Sequence, residues 1–146
     1  MNRRTFLAAS SSAIAFPHLC HAADKKLRVG VIGHTGRGNY GHGIDTVWMN
    51  VPDTQIVAVA DAHKGGLANA KKRLKISKGF SDYRAMLKET KPDIVAVCPR
   101  HVDQHHDMAL AAIEAGAKGI YIEKPLEPTP PQADTLPAAC KNHGAK

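Results

Sequence analysis

Three short stretches hold residues whose types and spacing could do chemistry. The first is the turn Gly33-His34-Thr35-Gly36-Arg37-Gly38, set directly after the apolar run Leu27 to Ile32. Glycines let a backbone approach a pyrophosphate closely, and the N–H groups that open a following helix point at its negative charge. A Gly-x-Gly-x-x-Gly template fits in two registers: Gly33 and Gly38 with Thr35 in the middle place, or Gly36, Gly38 and Gly41 in full. The first is preferred, because the opening glycine belongs at the strand end and Gly33 sits there. Thr35 can then offer a phosphate its hydroxyl and its backbone N–H. Asp61 closes the second apolar run, where a carboxylate accepts hydrogen bonds from the adenosine ribose hydroxyls. Such a carboxylate repels a 2'-phosphate and favours NAD over NADP, a preference that Arg37 and Lys64 soften. The plainer alternative is that Asp61 caps the next turn.

The second stretch is Asp93 to Pro99 followed by Arg100-His101-Val102-Asp103-Gln104-His105-His106-Asp107. It leaves the carboxyl end of an apolar run, the side on which open α/β sheets bind ligands. His101 and His105, with Asp103 or His106, have spacings a zinc site could use. Against this, the same residues make a helix start with Asp103 as its cap and the histidines facing solvent or a ligand. The third stretch is Ile122-Glu123-Lys124-Pro125. A lysine there could hydrogen-bond a substrate hydroxyl and help remove its proton while hydride leaves the carbon, with the neighbouring carboxylate orienting the ammonium. The competing reading is a surface lysine beside a loop proline.

The elements that must position these residues alternate between apolar runs and helical patterns, which predicts a Rossmann-type α/β fold: a doubly wound parallel sheet in three layers, α/β/α. Strands are expected at Leu27 to Ile32, Gln55 to Ala60, briefly at Phe80, at Ile94 to Cys98 and at Gly119 to Ile122. Helices are expected at about Gly41 to Asn50, Lys64 to Leu74, from an Asp82 or Ser81 cap to Lys88, and at Gln104 to Ala115. A last helical pattern runs from about Gln132 to Asn142, with Pro137 as a kink or a boundary.

The 146 residues make one domain. Residues 1–22 read as a twin-arginine export leader, with Arg3-Arg4, a short apolar run from Ala8 to Phe16 and a cleavage place at Cys20-His21-Ala22. This implies the twin-arginine machinery as a partner and a periplasmic destination. The net charge of +7 includes the cluster Lys71-Lys72-Arg73 with Lys75 and Lys78, which has no interleaved aromatics and argues against a nucleic-acid partner. Cys98, in an apolar run, reads as core rather than as half of a disulfide.

Val29 to Gly38, Val57 to Asp61, Asp93 to Pro99, His105, Met108 to Gly116 and Ile122-Glu123-Lys124-Pro125 together resemble the amino-terminal half of the Gfo/Idh/MocA oxidoreductases. The resemblance covers residues 27–146. It implies NAD, with NADP possible, as cofactor and a sugar or polyol as substrate. Lys124 is implied as the catalytic lysine near nicotinamide and substrate. Gly33 to Gly38 and Asp61 are implied on the dinucleotide, with Cys98, Pro99, Arg100, His105 and Glu123 bordering its nicotinamide side. Members of the family continue into a second, antiparallel domain that forms the substrate pocket and oligomer contacts. Its absence here reads as a truncation, and residues 126–146 are expected to be poorly ordered without it. Alternatives are a dinucleotide-binding module without turnover and the cofactor domain of an NAD-dependent glycosidase.

Overall fold

The computed structural model describes residues 25–126 and 130–146, so the export leader expected at residues 1–22 lies outside the described residues. Val, Ile and Ala fill three strands, Leu27–Ile32 (β1), Thr54–Ala60 (β2) and Ile94–Val97 (β4), and Val29, Val31, Val59, Val95 and Val97 are wholly buried. Burial of consecutive residues marks strands covered on both faces, as the crossovers of a parallel sheet require. With Gly79–Phe80 (β3) and Gly119–Ile122 (β5) they form one parallel sheet in the order β3-β2-β1-β4-β5. Chain direction across the sheet reverses between β1 and β4, where an open α/β sheet leaves a crevice beyond its strand ends.

Helices Lys64–Arg73 (α1), Tyr83–Thr90 (α2), His105–Glu114 (α3) and Pro130–His143 (α4) connect and cover the strands. The two-residue period of the strands divides their side chains between two cores. Ala58, Ala60, Val95 and Val97 meet Met86 and Leu87 of α2 and Met108 and Ala112 of α3. On the other face Val29, Val31, Val59 and Ala96 meet Ala70 and Leu74, with Ile44 completing the cover. Asp82 caps α2 as expected, its carboxylate accepting from Arg84 N at 3.0 Å.

The helix expected over Gly41 to Asn50 is absent. Asn39, His42 and Gly43 all have positive φ, which no α-helix accommodates, and the chain instead runs through a string of turns into a short 3-10 helix, Val47–Met49. The three-layer arrangement is therefore kept with one layer part helix, part loop.

The tail, expected to be loosely held, forms α4 against α3. Leu136, 5% exposed, packs with Ala109 and Ile113, and Pro137 lies inside the helix. Lys146 then pairs with the edge beside β5, its N–H donating to Lys118 O at 2.9 Å and its carbonyl accepting from Ile120 N at 2.8 Å. Because Leu136 carries the buried contact of α4, Leu136→Ala is expected to lower unfolding free energy by about 2–3 kcal/mol in urea titrations.

Candidate functional site

The turn after β1, the loop after β4 and the Glu123-Lys124-Pro125 triplet after β5 meet at the carboxyl end of the sheet. Gly41 N donates to Cys98 O at 2.6 Å, tying the first loop to the second. Gly38, at φ +92°, passes so close to the second loop that a Cβ would lie 2.5 Å from Arg100 N. Only glycine satisfies both the conformation and the contact. A Cβ on Gly41 would collide with the Glu123 carboxylate, which ties the first loop to the third. Gly33 instead has an ordinary φ and lies under the Tyr40 ring, so both registers of the glycine template mark real close approaches.

The phosphate cradle differs from expectation. No helix opens after the turn, and Thr35 gives its N–H and its hydroxyl to Asp61 rather than leaving them for a ligand. The Asp61 carboxylate, 1% exposed, also accepts from Tyr40 Oη at 3.0 Å and His63 N at 2.9 Å. It braces the glycine turn from below, and it lies in the wall of the crevice beside that turn. The amides of Gly36 and Gly38, in contrast, take part in none of the hydrogen bonds among the described residues, and the space over Gly36 is open. This open, glycine-lined turn fits the phosphates of a dinucleotide. Beside it lies a crevice of about 190 Å³ with Gly33, His34, Ala62, Ser81, Tyr83 and Gln104 in its walls. Through Tyr83, Gln104 and Met108 it continues into a cleft of about 400 Å³ that carries Arg37 and Arg84.

Other expected site residues take fixed structural positions. His34 Nδ1 lies 2.8 Å from Gln104 Oε1. Arg37 pairs with Asp103, so Asp103 is not the cap of α3 and instead latches the turn to the loop. Cys98 is fully buried, with its thiol pKa pushed up by burial. Pro99 is also buried, whereas Arg100 is exposed. His105 lies inside the fold. It is fully buried, with Nε2 2.6 Å from Pro99 O and Nδ1 2.9 Å from Pro125 O. Both ring nitrogens are thus engaged by carbonyls, and among the described residues no three His, Cys, Asp or Glu side chains converge as a metal-binding group.

Glu123, 2% exposed, does not orient the Lys124 ammonium. Oε1 accepts from the backbone N–H of Lys124 at 3.0 Å, and Oε2 accepts from His42 Nδ1 at 2.9 Å. Lys124 itself is exposed at the mouth of the loop. Tyr40, His42 and Asp45 join the site without having stood out in the sequence, and Gly41 and Arg73 join it from the second glycine register and the basic cluster. Asp45, 3% exposed, holds Arg73 at 2.7 Å, and the Arg73 guanidinium stacks 4.5 Å from the Tyr40 ring centre. The one available signal was the full Gly36-Gly38-Gly41 register, which points to a third close approach at Gly41.

A five-stranded parallel sheet with this strand order and an open glycine turn at its carboxyl end defines a dinucleotide-binding α/β domain. The chain belongs to the GFO_IDH_MocA oxidoreductase family with its NAD-binding Rossmann fold, which matches residues 27–146. It is 32% identical over 108 residues to D-glucoside 3-dehydrogenase of Escherichia coli (strain K12), covering 73% of this chain and 29% of that protein. Over 64 residues it is 41% identical to the uncharacterised oxidoreductase YhhX of the same organism, covering 44% of this chain and 18% of that one. The chain therefore spans less than a third of the curated relatives it matches. Among solved structures, KijD10, a 3-ketoreductase from Actinomadura kijaniata crystallised with NADP and TDP-benzene, superposes with a TM-score of 0.68 at 27% identity, covering 82% of this chain and 35% of its own. An Agrobacterium radiobacter oxidoreductase in complex with NAD+, L-tartaric acid and magnesium shares the fold, with a TM-score of 0.71 at 19% identity over 82% of this chain and 34% of that chain.

The Glu123 anchor makes the site acid-sensitive. Burial pushes its carboxyl pKa up, but the hydrogen bonds from His42 and the Lys124 amide, with their charges, outweigh burial and hold it below the ordinary 4.5. The ionised form therefore contributes stability above the unfolded value, and this contribution is lost as pH falls through the lowered folded value. In urea titrations stability should hold from neutrality to about pH 5 and fall below it, and Glu123→Gln should flatten that fall. Asp93, lowered chiefly by the Arg28 backbone N–H and then by Lys118, leaves a residual slope.

Proposed function

We propose that this chain forms the cofactor-binding part of an NAD(P)-dependent oxidoreductase that moves hydride between nicotinamide and a carbinol carbon of a sugar or polyol. The observation that carries the proposal is the convergence of Gly38, the Cys98 to His105 loop and Glu123-Lys124 at one end of the sheet. The turn amides hold the phosphates, and the loop after β4 walls the nicotinamide side. A bound nicotinamide supplies the hydride acceptor or donor at its ring carbon. Lys124 holds the substrate hydroxyl and passes a proton between its Nζ and that oxygen as the carbon is oxidised or reduced. Glu123 fixes the backbone from which Lys124 projects. The sugar or polyol class draws support from D-glucoside 3-dehydrogenase and from the 3-ketoreductase KijD10.

Calorimetric titration of the full chain with NAD should show saturable binding, and Gly38→Ala should weaken it at least tenfold, about 1.4 kcal/mol or more. With the dinucleotide present, saturation-transfer NMR against a panel of aldoses, polyols and dicarboxylates should detect a sugar or polyol whose signal is lost in Lys124→Ala. Binding of dicarboxylates alone would overturn the substrate class.

The chain is also proposed to be exported to the periplasm through the twin-arginine pathway, a reading supported by Arg3-Arg4 and the apolar run after them. Replacing both arginines with lysine should leave the protein in the cytoplasmic fraction, and unchanged fractionation would refute the reading.

A further inference from the structure

We propose that the cavity between α1 and the chain from Asn39 to Thr46 is a second small-molecule site, built for a neutral polyhydroxylated ligand, a sugar or polyol. It shares no lining residue with the crevice or the cleft of the cofactor end, so the inference stands apart from the dinucleotide reading.

The cavity holds about 400 Å³, within the range of roughly 300–1,000 Å³ that small-molecule sites occupy. In its wall Asp45 is 3% exposed yet only half engaged. Both bonds from Arg73, Nε at 2.8 Å and Nη2 at 2.7 Å, fall on Oδ2, and Oδ1 accepts no hydrogen bond among the described residues. A bidentate pair would have used both oxygens. Arg73 is steadied in this one-sided pose by its stack on the Tyr40 ring, and its Nη1 is likewise unengaged among the described residues. The pair thus leaves one acceptor and one donor side by side.

What such a pair selects follows from its charges, which cancel. A phosphate or a carboxylate would meet Asp45, and an ammonium would meet Arg73. An apolar ligand would take water from both groups and return no hydrogen bond. Neighbouring hydroxyls on one carbon chain or ring satisfy both at once, one donating to Oδ1 while the next accepts from Nη1. The remaining walls supply the same mixture. The side-chain amides of Asn39 and Asn69 are exposed and unengaged among the described residues, each offering a donor and an acceptor. Thr46 Oγ1 donates to Gly43 O at 3.2 Å and keeps its lone pairs for a ligand hydroxyl.

The test is an NMR titration of the nitrogen-labelled full chain, free of dinucleotide, with D-glucose, D-sorbitol and inorganic sulfate. At least one of the two polyols should shift the side-chain amides of Asn39 and Asn69 and the backbone amide of Thr46 saturably, with a dissociation constant on the order of 1 mM. Sulfate should leave those signals in place. Asn69→Ala should weaken polyol binding roughly fivefold, the effect of one hydrogen bond. Arg73→Lys keeps a charge for Asp45 without the planar fork, and should weaken binding by a similar factor. Lys124→Ala should leave these shifts within about twofold of wild type, since Lys124 is no part of the cavity. Absence of saturable shifts with both polyols would overturn the proposal, as would saturation by sulfate alone. Loss of the shifts in Lys124→Ala would assign the polyol to the end of the sheet and overturn it too. Failure of the chain to bind NAD would remove the dinucleotide reading and leave this site standing. If Arg73→Lys does not fold, the exposed variant Asn69→Ala decides.

Discussion

One buried carboxylate organises the cofactor end of this molecule. Removing a charge from water costs several kcal/mol unless hydrogen bonds replace the lost hydration. Asp61 meets that condition by drawing in Thr35, Tyr40 and His63, which come from the turn after β1, the loop beyond it and the cap of α1. Satisfying the charge therefore folds the glycine turn back over the end of β2. The bond from Gly33 N to Ala60 O at 2.9 Å fixes the hinge of that fold, and Gly36 and Gly38 are left outermost with their amides open. The feature that makes the turn fit phosphate is thus a consequence of where Asp61 finds its donors.

The loops after β4 and β5 are tied by a second set of contacts that share no residue with the first. Glu123 grips His42 and its own successor's amide, and Gly41 is cut away to let it in. His105 spans the carbonyls of Pro99 and Pro125, closing the loops after β4 and β5 against each other. The buried polar groups hold backbone, and the side chains that could touch a ligand, Arg37, Arg100 and Lys124, are left exposed. Such a division fixes the backbone from which those side chains project.

Much of this was legible in the chain itself. Apolar runs identified the strands, because the central ones are covered on both faces and bury most of their residues, and Asp82 announced its helix by the chemistry of its cap. The positions of Gly38, Glu123 and Lys124 came from the strand ends. What escaped were the partners. The bond that Tyr40 gives Asp61 has no local signature, because the approach of Tyr40 is set by Arg73 and Asp45 on other parts of the chain. His105 likewise looked like a ligand-facing histidine, and only the return of Pro125 beside Pro99 makes it a strut. Local pattern specifies elements, whereas the pairing of polar groups across loops is a property of the assembled end of the sheet.

The missing first helix and the Glu123 anchor have one cause. In a regular helix from Gly41 the i to i−4 ladder would fix His42 by helical periodicity, carrying it around the axis away from its neighbour on the chain. Positive φ at His42 and Gly43 breaks that ladder and lets His42 turn back to Glu123 while Ile44 still drops into the core. Beyond it Trp48, in the 3-10 helix Val47–Met49, stands edge-on to Tyr121 of β5, ring centres 5.6 Å apart. The path onward from Gly38 thus meets two demands that a helix cannot meet at once, passage of the backbone against Arg100 and delivery of His42 to a buried carboxylate.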